Sequence, residues 1–434
     1  ENYTKKRLNS VFGTLQLGYK DMVYLDLTAR NDWSSALAFT ESMSFFYPSV
    51  GATFLLDEMF HMNDDLFDMV KLRASYSVVG NDIPAYYSRP VATLSKLTIT
   101  LPTVMPFTDW KPEKTFSIEA GFDLAMLHNR LRTEFTFYKA NTKNQYFQVS
   151  APVASGYSKR NINAGNVENL GIEASVSYRL DFNHDWSWTP GINFSYNKNE
   201  IKELCPGLEE YNLAEASAFI MKLKKGGSYG DIYTYDFQYD DNGNIKLDNT
   251  GAPLLTSDAD TYAGNFNSKF HLGWSNTINW KNLNIYALVD GKIGGKVLSM
   301  TEAIMDGYGV SKATGDARLN GGVPNKDGSM IDAEKYYSRV GGRAQNAGFN
   351  AMEYMYSATN FRLRELSVGY TFENLFGMNK NLTASVVGRN LFFLYKKSPC
   401  DPDISGSTGN GWQGIDVFSL PATRSWGLNL KLNF

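Results

Sequence analysis

At 434 residues the chain has room for two or three soluble domains of roughly 150 residues each, yet 14% of it is aromatic and 37 residues are glycine, which argues for a different class. Its 42 Lys and Arg against 45 Asp and Glu leave a net charge of −3, no basis for a nucleic-acid footprint, and two Cys exclude a disulfide scaffold or a four-cysteine zinc centre. A mean hydropathy of −0.33 and the lack of any apolar run near about 18 residues exclude helical membrane spans, but not a β-barrel, whose strands alternate apolar and polar side chains.

Period-two alternation predicts thirteen strands, at about 8–19, 22–33, 44–56, 68–79, 113–127, 130–141, 169–181, 185–197, 266–280, 283–292, 359–373, 381–393 and 423–434. In the fifth, Phe116, Ile118, Ala120, Phe122, Leu124 and Met126 share a face, opposite Thr115, Ser117, Glu119, Gly121 and Asp123. In the seventh, Leu170, Ile172, Ala174, Val176, Tyr178 and Leu180 oppose Glu173, Ser175, Ser177 and Arg179. The eighth aligns Trp186, Trp188, Ile192, Phe194 and Tyr196. The ninth is imperfect, because Asn276 falls on the apolar face of Leu272, Trp274, Ile278 and Trp280, so a bulge or a packed contact is expected there. The last is the cleanest: Trp426, Leu428, Leu430, Leu432 and Phe434 face one way, Ser425, Gly427, Asn429, Lys431 and Asn433 the other.

The connections alternate in length. Segments 20–21, 57–67, 128–129, 182–184, 281–282 and 374–380 are short. Segments 34–43, 80–112, 142–168, 198–265, 293–358 and 394–422 are mostly long, and the two longest exceed 60 residues. Short turns at one end and long loops at the other mark an outer-membrane barrel, whereas a soluble two-sheet protein has no reason to sort its loops. With the short turns in the periplasm, strand 423–434 runs downward, and so does strand 8–19. Bacterial single-chain barrels have even strand counts, so closure requires an odd number of further strands. The expected fold is therefore all-β, a portion of an antiparallel transmembrane β-barrel. The start, Glu1-Asn2-Tyr3-Thr4-Lys5-Lys6, has no apolar signal segment and reads as an internal boundary.

Several segments carry a family likeness. Val23–Ser35 reads VYLDLTARNDWSS, Tyr47–Gly51 reads YPSVG, and Lys71–Asp82 reads KLRASYSVVGND, with Ser77 where the pattern usually has Gly. WKPEKT at Trp110–Thr115, NAGNVENLGIE at Asn163–Glu173, FRLRELSVGY at Phe361–Tyr370 and VGRNLF at Val387–Phe392 follow in order, then Asp401-Pro402-Asp403 and the terminal Phe434. In these motifs the chain resembles the C-terminal portion of a SusC/RagA-type TonB-dependent outer-membrane transporter of Bacteroidetes. The resemblance implies a barrel of 22 strands around an N-terminal plug, a TonB-binding segment, and a SusD-like surface lipoprotein as lid. The thirteen strands here would then be completed by N-terminal strands and plug outside this chain. Trp426, Leu428, Leu430, Leu432 and Phe434 would form the C-terminal assembly signal, in contact with outer-membrane lipid. No cofactor is implied.

Candidate site residues fall into two groups. Charges on the polar faces, Lys71, Arg73, Glu119, Asp123, Arg132, Glu134, Glu173 and Arg179, either face a plug or transport path or form cross-strand ion pairs on a solvated wall. The long loops hold Trp110, Tyr157, Tyr229, Tyr233, Tyr235, Tyr239, Tyr336, Tyr337 and Trp412. Their rings suit a glycan or peptide substrate, or else pack the loops and interfacial girdles. Trp412 with Asp401 and Asp403, then Trp110, Tyr157, Tyr235 and Tyr337, are the substrate-binding candidates, since the last long loop can fold over the barrel mouth.

Other features point to no chemistry. Asp240-Asp241-Asn242-Gly243-Asn244 has Ile245 where a calcium loop needs its sixth-position Gly, and reads as a hairpin turn. Segment 198–265 holds twelve acidic residues and six Lys, a net of −6 that disfavours a polyanionic substrate at that loop. Cys205 and Cys400 both fall in loops, where one disulfide is possible. A barrel enzyme, protease or phospholipase, would need a His beside a nucleophile or bound water. His61, His128 and His184 sit at or beside short turns, His271 lies in a strand without a Ser/Asp constellation, and no HExxH, GxSxG or GxxxxGKS motif occurs. The function expected is import of an oligomeric nutrient, glycan or peptide; an adhesive or passive surface barrel remains the alternative.

Overall fold

The computed structural model describes residues 5–63, 65–86, 88, 92–95, 98–100, 102–105, 107, 109–151, 153–205, 207–341, 349–374, 380–407 and 411–433. They form two compact units. The first is built on residues up to Leu180 with Gly191–Tyr211 and Lys224–Gly227; the second on Asp181–Pro190, Asn212–Leu223 and the chain from Ser228 onward.

In the first unit, β1 (Leu8–Tyr19), β2 (Val23–Ser34), β3 (Ser44–Leu55), β4 (Phe67–Asn81), β5 (Glu113–Met126), β6 (Leu131–Ser150), β7 (Lys159–Tyr178) and β8 (Trp186–Glu203) pair antiparallel in chain order. The first residues of β8, 186–190, belong with the second unit. A short helix, α1 (Leu56–Phe60), fills the turn between β3 and β4. In the second unit β9 (Phe270–Trp280), β10 (Leu283–Ile293), β11 (Asn360–Phe372), β12 (Asn381–Lys396) and β13 (Ser425–Asn433) pair in the same way. These are the strands that the alternation predicts.

Register keeps like faces together. Leu15, Leu27, Val50 and Tyr76 lie side by side across β1 to β4, and Leu432, Leu430, Leu428 and Trp426 lie beside Leu382, Ala384, Val386 and Gly388. These apolar faces are open: Leu428 is 69% exposed and Leu430 61%. So much apolar surface turned outward is a liability in water and the normal state of a strand in lipid. Phe434 lies outside the described residues. Asn276 causes no bulge against β10, with which β9 stays in unbroken register. Its Oδ1 accepts a hydrogen bond from Trp188 Nε1 at 3.1 Å, so the polar atom is satisfied on an apolar face.

Two expectations about loops are corrected. Segment 142–168 is largely strand: β6 and β7 continue as a paired ladder from Lys143↔Asn166 to Ser150↔Lys159. The sequence there keeps only a weak alternation, with Phe147 and Val149 on one face of β6 and Ile162 and Ala164 on one face of β7 among mostly polar residues. Segments 198–265, 293–358 and 394–422 are likewise no open loops. Within the second unit they build α2 (Met300–Gly307), α3 (Lys312–Leu319) and α4 (Ala333–Val340), together with strands at Asp231–Thr234 and Thr261–Asn265 and all but the last residue of the strand Ile220–Lys224. Each helix starts at a side-chain cap, with Ser299, Ser311 and Asp332 accepting from the N–H of Glu302, Thr314 and Lys335. Phe219, Met221, Ile232, Leu298, Ile331, Val340 and Ile415, drawn from all three segments, close one buried apolar core.

Helices α2 and α4 meet backbone to backbone at Gly307 and Gly341. A Cβ on Gly341 would stand 2.3 Å from the Gly307 nitrogen. Gly341 has φ −94°, which alanine tolerates, so only the clash matters. Gly341→Ala is expected to destabilise this loop fold by about 1–3 kcal/mol, the range for overpacking a close contact. Thermal melting and protease susceptibility of the loops check it; an unchanged melt would show that the helices part freely.

The Asp240–Asn244 run is a hairpin turn, with an antiparallel bridge from Tyr239 to Ile245 and Asp240 Oδ1 accepting from the N–H of Asn242 and Asn244. Asp248 repeats the device with Thr250 and Ala252. The Thr250 hydroxyl first, then the Ala252 and Thr250 N–H groups and Arg339, hold the Asp248 carboxyl down to about 2 against the opposing effect of its burial. A depressed folded pKa means that Asp248 supports the hairpin above the ordinary carboxylate value of about 3.9 and ceases to as pH falls toward 2. Amide exchange of Thr250 and Ala252 should therefore quicken between pH 4 and 2, and Asp248→Asn should remove that pH dependence.

Candidate functional site

The densest charged cluster of the second unit lies where the long-loop ends of β10, β11 and β12 meet the last long loop. β11 carries Arg362 and Arg364, and β10 carries Asp290 and Lys292. Arg362, 2% exposed, donates from Nη2 to Asp401 Oδ1 at 2.7 Å and stacks 3.9 Å over the Phe393 ring. Arg364 bonds Asp290, Asp403 (3.2 Å) and Asn390 Oδ1 (2.9 Å). Lys292 Nζ reaches Asp403 Oδ1 at 2.7 Å. Burial would raise the Asp403 carboxyl, but the bond from Lys292 and the charges of Lys292, Arg364 and Arg362 bring it below the ordinary value. Asn390 takes φ +52°, a bulge that sends its amide to Arg364 and to the Thr423 carbonyl. Asp401 also accepts from the Ala422 N–H at 3.3 Å, so the loop is tied near both ends to one buried pair.

Three motifs, FRLRELSVGY, VGRNLF and Asp401-Pro402-Asp403, thus converge on one ion network. Arg362, Arg364, Lys292, Asp290 and Asn390 were not singled out from sequence. The available signal was the pair of arginines two residues apart, which a strand places on one face.

The first unit has a similar knot. Arg30 Nε meets Asp32 Oδ1 at 2.7 Å, Tyr47 hydroxyl bonds Asp32, Ser34 hydroxyl bonds Asp82, and Lys6 Nζ lies 2.8 Å from Asp82. Apart from Lys6, these residues come from the RNDWSS, YPSVG and VVGND motifs. Beside them Trp110 is fully buried among Ala36, Leu37, Phe45 and Ile83, edge-on to Phe107. That burial corrects the expectation of an accessible ring at Trp110: it packs the knot. The N–H of the next residue, Lys111, donates to Asn163 Oδ1 at 2.6 Å, joining two further motifs.

The polar-face charges divide. Lys71, Arg73, Glu119, Asp123, Arg132, Glu134 and Glu173 alternate with the apolar residues of their strands. Asp123 gathers Lys71 and Arg73, the latter at 3.2 Å, and Arg73 also donates to Thr136 at 2.7 Å. Arg132 instead bonds Asn129 in its turn (3.3 Å), and Glu134 stands opposite Asp123 in the register. Glu119 pairs across Ser75 and Tyr138, and Glu173 across Thr136 and Ser195. Arg179 lies just past β7, its N–H on the Arg130 carbonyl.

Of the remaining loop candidates, Trp412 is half-buried, edge-on to Phe219 at 5.5 Å, and Tyr337 is edge-on to Tyr336 at 5.2 Å, both against the loop core. Tyr157 and Tyr235 are half-buried. Trp412 is therefore held by packing while Asp401 and Asp403 are held by charge. Cys205 and Cys400 are both thiols.

Long antiparallel strands with outward apolar faces, short turns and folded long loops define an outer-membrane β-barrel protein. Residues 1–391 match the family model described as TonB dependent receptor-like, beta-barrel, and the chain belongs to that family. TonB-dependent receptor P3 of Formosa agariphila is 25% identical, covering 98% of this chain and 45% of that protein. TonB-dependent receptor SusC of Bacteroides thetaiotaomicron is 23% identical, covering 99% and 44%. The structure of the RagAB peptide importer in its open-open state superposes with a TM-score of 0.78 at 21% identity, over 99% of this chain and 47% of that one. The chain thus spans about half the length of these relatives, and its SusC/RagA-type barrel fold agrees with the motif resemblance.

Proposed function

We propose that this chain is the C-terminal barrel part of a TonB-dependent importer that takes an oligomeric nutrient across the outer membrane. A SusD-like surface lipoprotein closes over it, and the remaining strands, the plug and the TonB-binding segment belong to the other half of the same transporter. The observation that carries this reading is the match of residues 1–391 to the TonB-dependent receptor barrel family. Support comes also from the ion pairs that tie Asp401 and Asp403 of the last long loop to Arg362, Arg364 and Lys292 on the strands. The barrel acts as conduit and scaffold, without a covalent step, and the proton gradient of the inner membrane supplies the energy through TonB. Uptake of the cognate oligomer by whole cells is expected to stop when TonB or the lipoprotein partner is deleted; normal uptake in both deletions would refute the mechanism.

A further inference from the structure

On the outward face of β5 to β8, within the first unit, the apolar surface ends at lysines. Phe122 stands beside Phe135 and Ala120 beside Phe137, but the next outward pair is Ile118 with Lys139, and two pairs further on Lys114 faces Lys143. Across β7 and β8 the same change runs from Ile172 beside Tyr196 to Leu170 beside Lys198. Two carboxylates of this face are shared among three lysines. Lys139 reaches Glu168 at 2.9 Å, Lys198 reaches Glu200 at 2.9 Å, and Lys202 reaches both. Lys114 and Lys143 meet no carboxylate among the described residues: Lys114 Nζ lies 3.4 Å from the Phe46 carbonyl on β3, and Lys143 Nζ stands 5.6 Å from the Phe116 ring centroid. A chain with a net charge of −3 thus sets two uncompensated ammonium groups side by side at the rim of its lipid-facing wall.

The same face holds a groove of about 530 Å3 across β1 to β4, with Leu15, Leu27, Ala29, Pro48, Val50 and Tyr76 in its walls. That volume falls within the range of roughly 300–1,000 Å3 usual for ligand sites. Leu15, Leu27, Val50, Tyr76 and Ile118 form one line across the strands, and the next member of that line is Lys139. Barrel strands tilt by about 35–45°, so a line at right angles to them slopes through the membrane. This one leaves the hydrocarbon at β6 and sinks deeper toward β1. The groove therefore descends from the level of the lysines into the apolar zone. Lys114, reaching the Phe46 carbonyl two residues from Pro48, sits at its upper end.

We propose that this face binds a phosphate-bearing lipid of the surrounding outer leaflet, with the headgroup phosphate between Lys114 and Lys143 and an acyl chain in the groove over Ala29 and Val50. The long-loop ends of the strands, where both lysines lie, face the cell exterior. The two ammonium groups supply point charges for a phosphate, and lysines beside an apolar surface are the usual footprint of anionic lipid. A groove that opens to hydrocarbon admits an acyl chain and turns away a water-soluble ligand. The site depends on the outer-membrane location and not on what the barrel carries.

Native mass spectrometry of the full transporter, released from detergent, counts the lipids that stay bound. Dioleoyl phosphatidic acid is expected to bind about fivefold or more tightly than dioleoyl glycerol, which has the same chains and no phosphate. Lys114→Gln and Lys143→Gln should each weaken phosphatidic acid about fivefold, the usual share of one lysine facing anionic lipid, while Lys312→Gln on α3 leaves it unchanged. Ala29→Phe, which fills the groove, should weaken both lipids about threefold, since close packing holds a chain there without any gain from expelled water. All four positions are exposed or half-buried, so none of these changes disturbs a core. Equal affinity for the two lipids overturns the assignment, as does parental binding in the lysine variants or in Ala29→Phe. Displacement of the lipid by excess inorganic phosphate overturns it too, by showing a site for the free ion. If transporters pair and Ala29→Phe separates them, a second copy covers the groove and the lipid assignment falls.

Discussion

Arg362→Ala is expected to cost about 3–5 kcal/mol, the usual penalty for removing one partner of a buried ion pair. Both side chains are buried, Arg362 at 2% and Asp401 at 7% exposure, so the orphaned carboxylate cannot turn to water without dragging the loop with it. Asp401 also holds the Ala422 N–H, and its neighbour Asp403 holds Lys292 and Arg364. The loss therefore spreads along residues 397–424. Chymotrypsin should cut within that loop, after Trp412, in the variant and spare that bond in the parent. The double variant Arg362→Met with Asp401→Asn should recover part of the stability, because no buried charge is then left alone there. If the single variant keeps parental melting and protease resistance, the network is a surface ornament rather than the loop's anchor.

Leu430→Lys tests the membrane assignment with a comparable effect. Leu430 is 61% exposed, so in a water-soluble protein a lysine there would change stability by no more than about 0.5 kcal/mol. In a lipid-facing strand the same change near the bilayer middle costs about 2–4 kcal/mol. Asn429→Lys, one residue away on the opposite face, should be close to neutral in either case. Folding into lipid vesicles with urea titration separates the two outcomes, as does the amount of full transporter assembled in the outer membrane. Equal behaviour of the two lysine variants would contradict the lipid-facing assignment.

The legibility of the fold varied with its solvent. Where strands stand in lipid, physics imposes one apolar face, and segments such as Phe116–Met126 and Trp426–Leu432 declare themselves by period two. In Lys143–Ser150 paired with Lys159–Asn166 most residues are polar, and the alternation is too weak to mark the strands although the ladder continues. The loop core was hidden for another reason. Phe219, Leu298 and Ile415 are far apart in sequence, so no local window reveals that they share one buried cluster.

The candidate residues show the same division. Asp401 and Asp403 stood out in a motif, and the structure reveals why the motif is charged: it answers Arg362 and Arg364. Trp110 stood out as a loop aromatic, and its burial against Leu37 and Ile83 makes it a packing residue. A residue type identifies what a side chain can do; only its neighbours decide whether it does so.

By itself the sequence determined that this is a sheet built for lipid, because alternation, loop sorting and the ordered family motifs are local properties of the chain. Tertiary structure alone decided that those motifs tie to one another through Asp32, Asp82, Asp401 and Asp403, that the long loops fold around a core, and that Asn276 is satisfied by Trp188. The physical reason is range. Side-chain alternation acts between neighbours along one strand, whereas a buried charge or amide is stable only beside a partner that the chain brings from dozens of residues away.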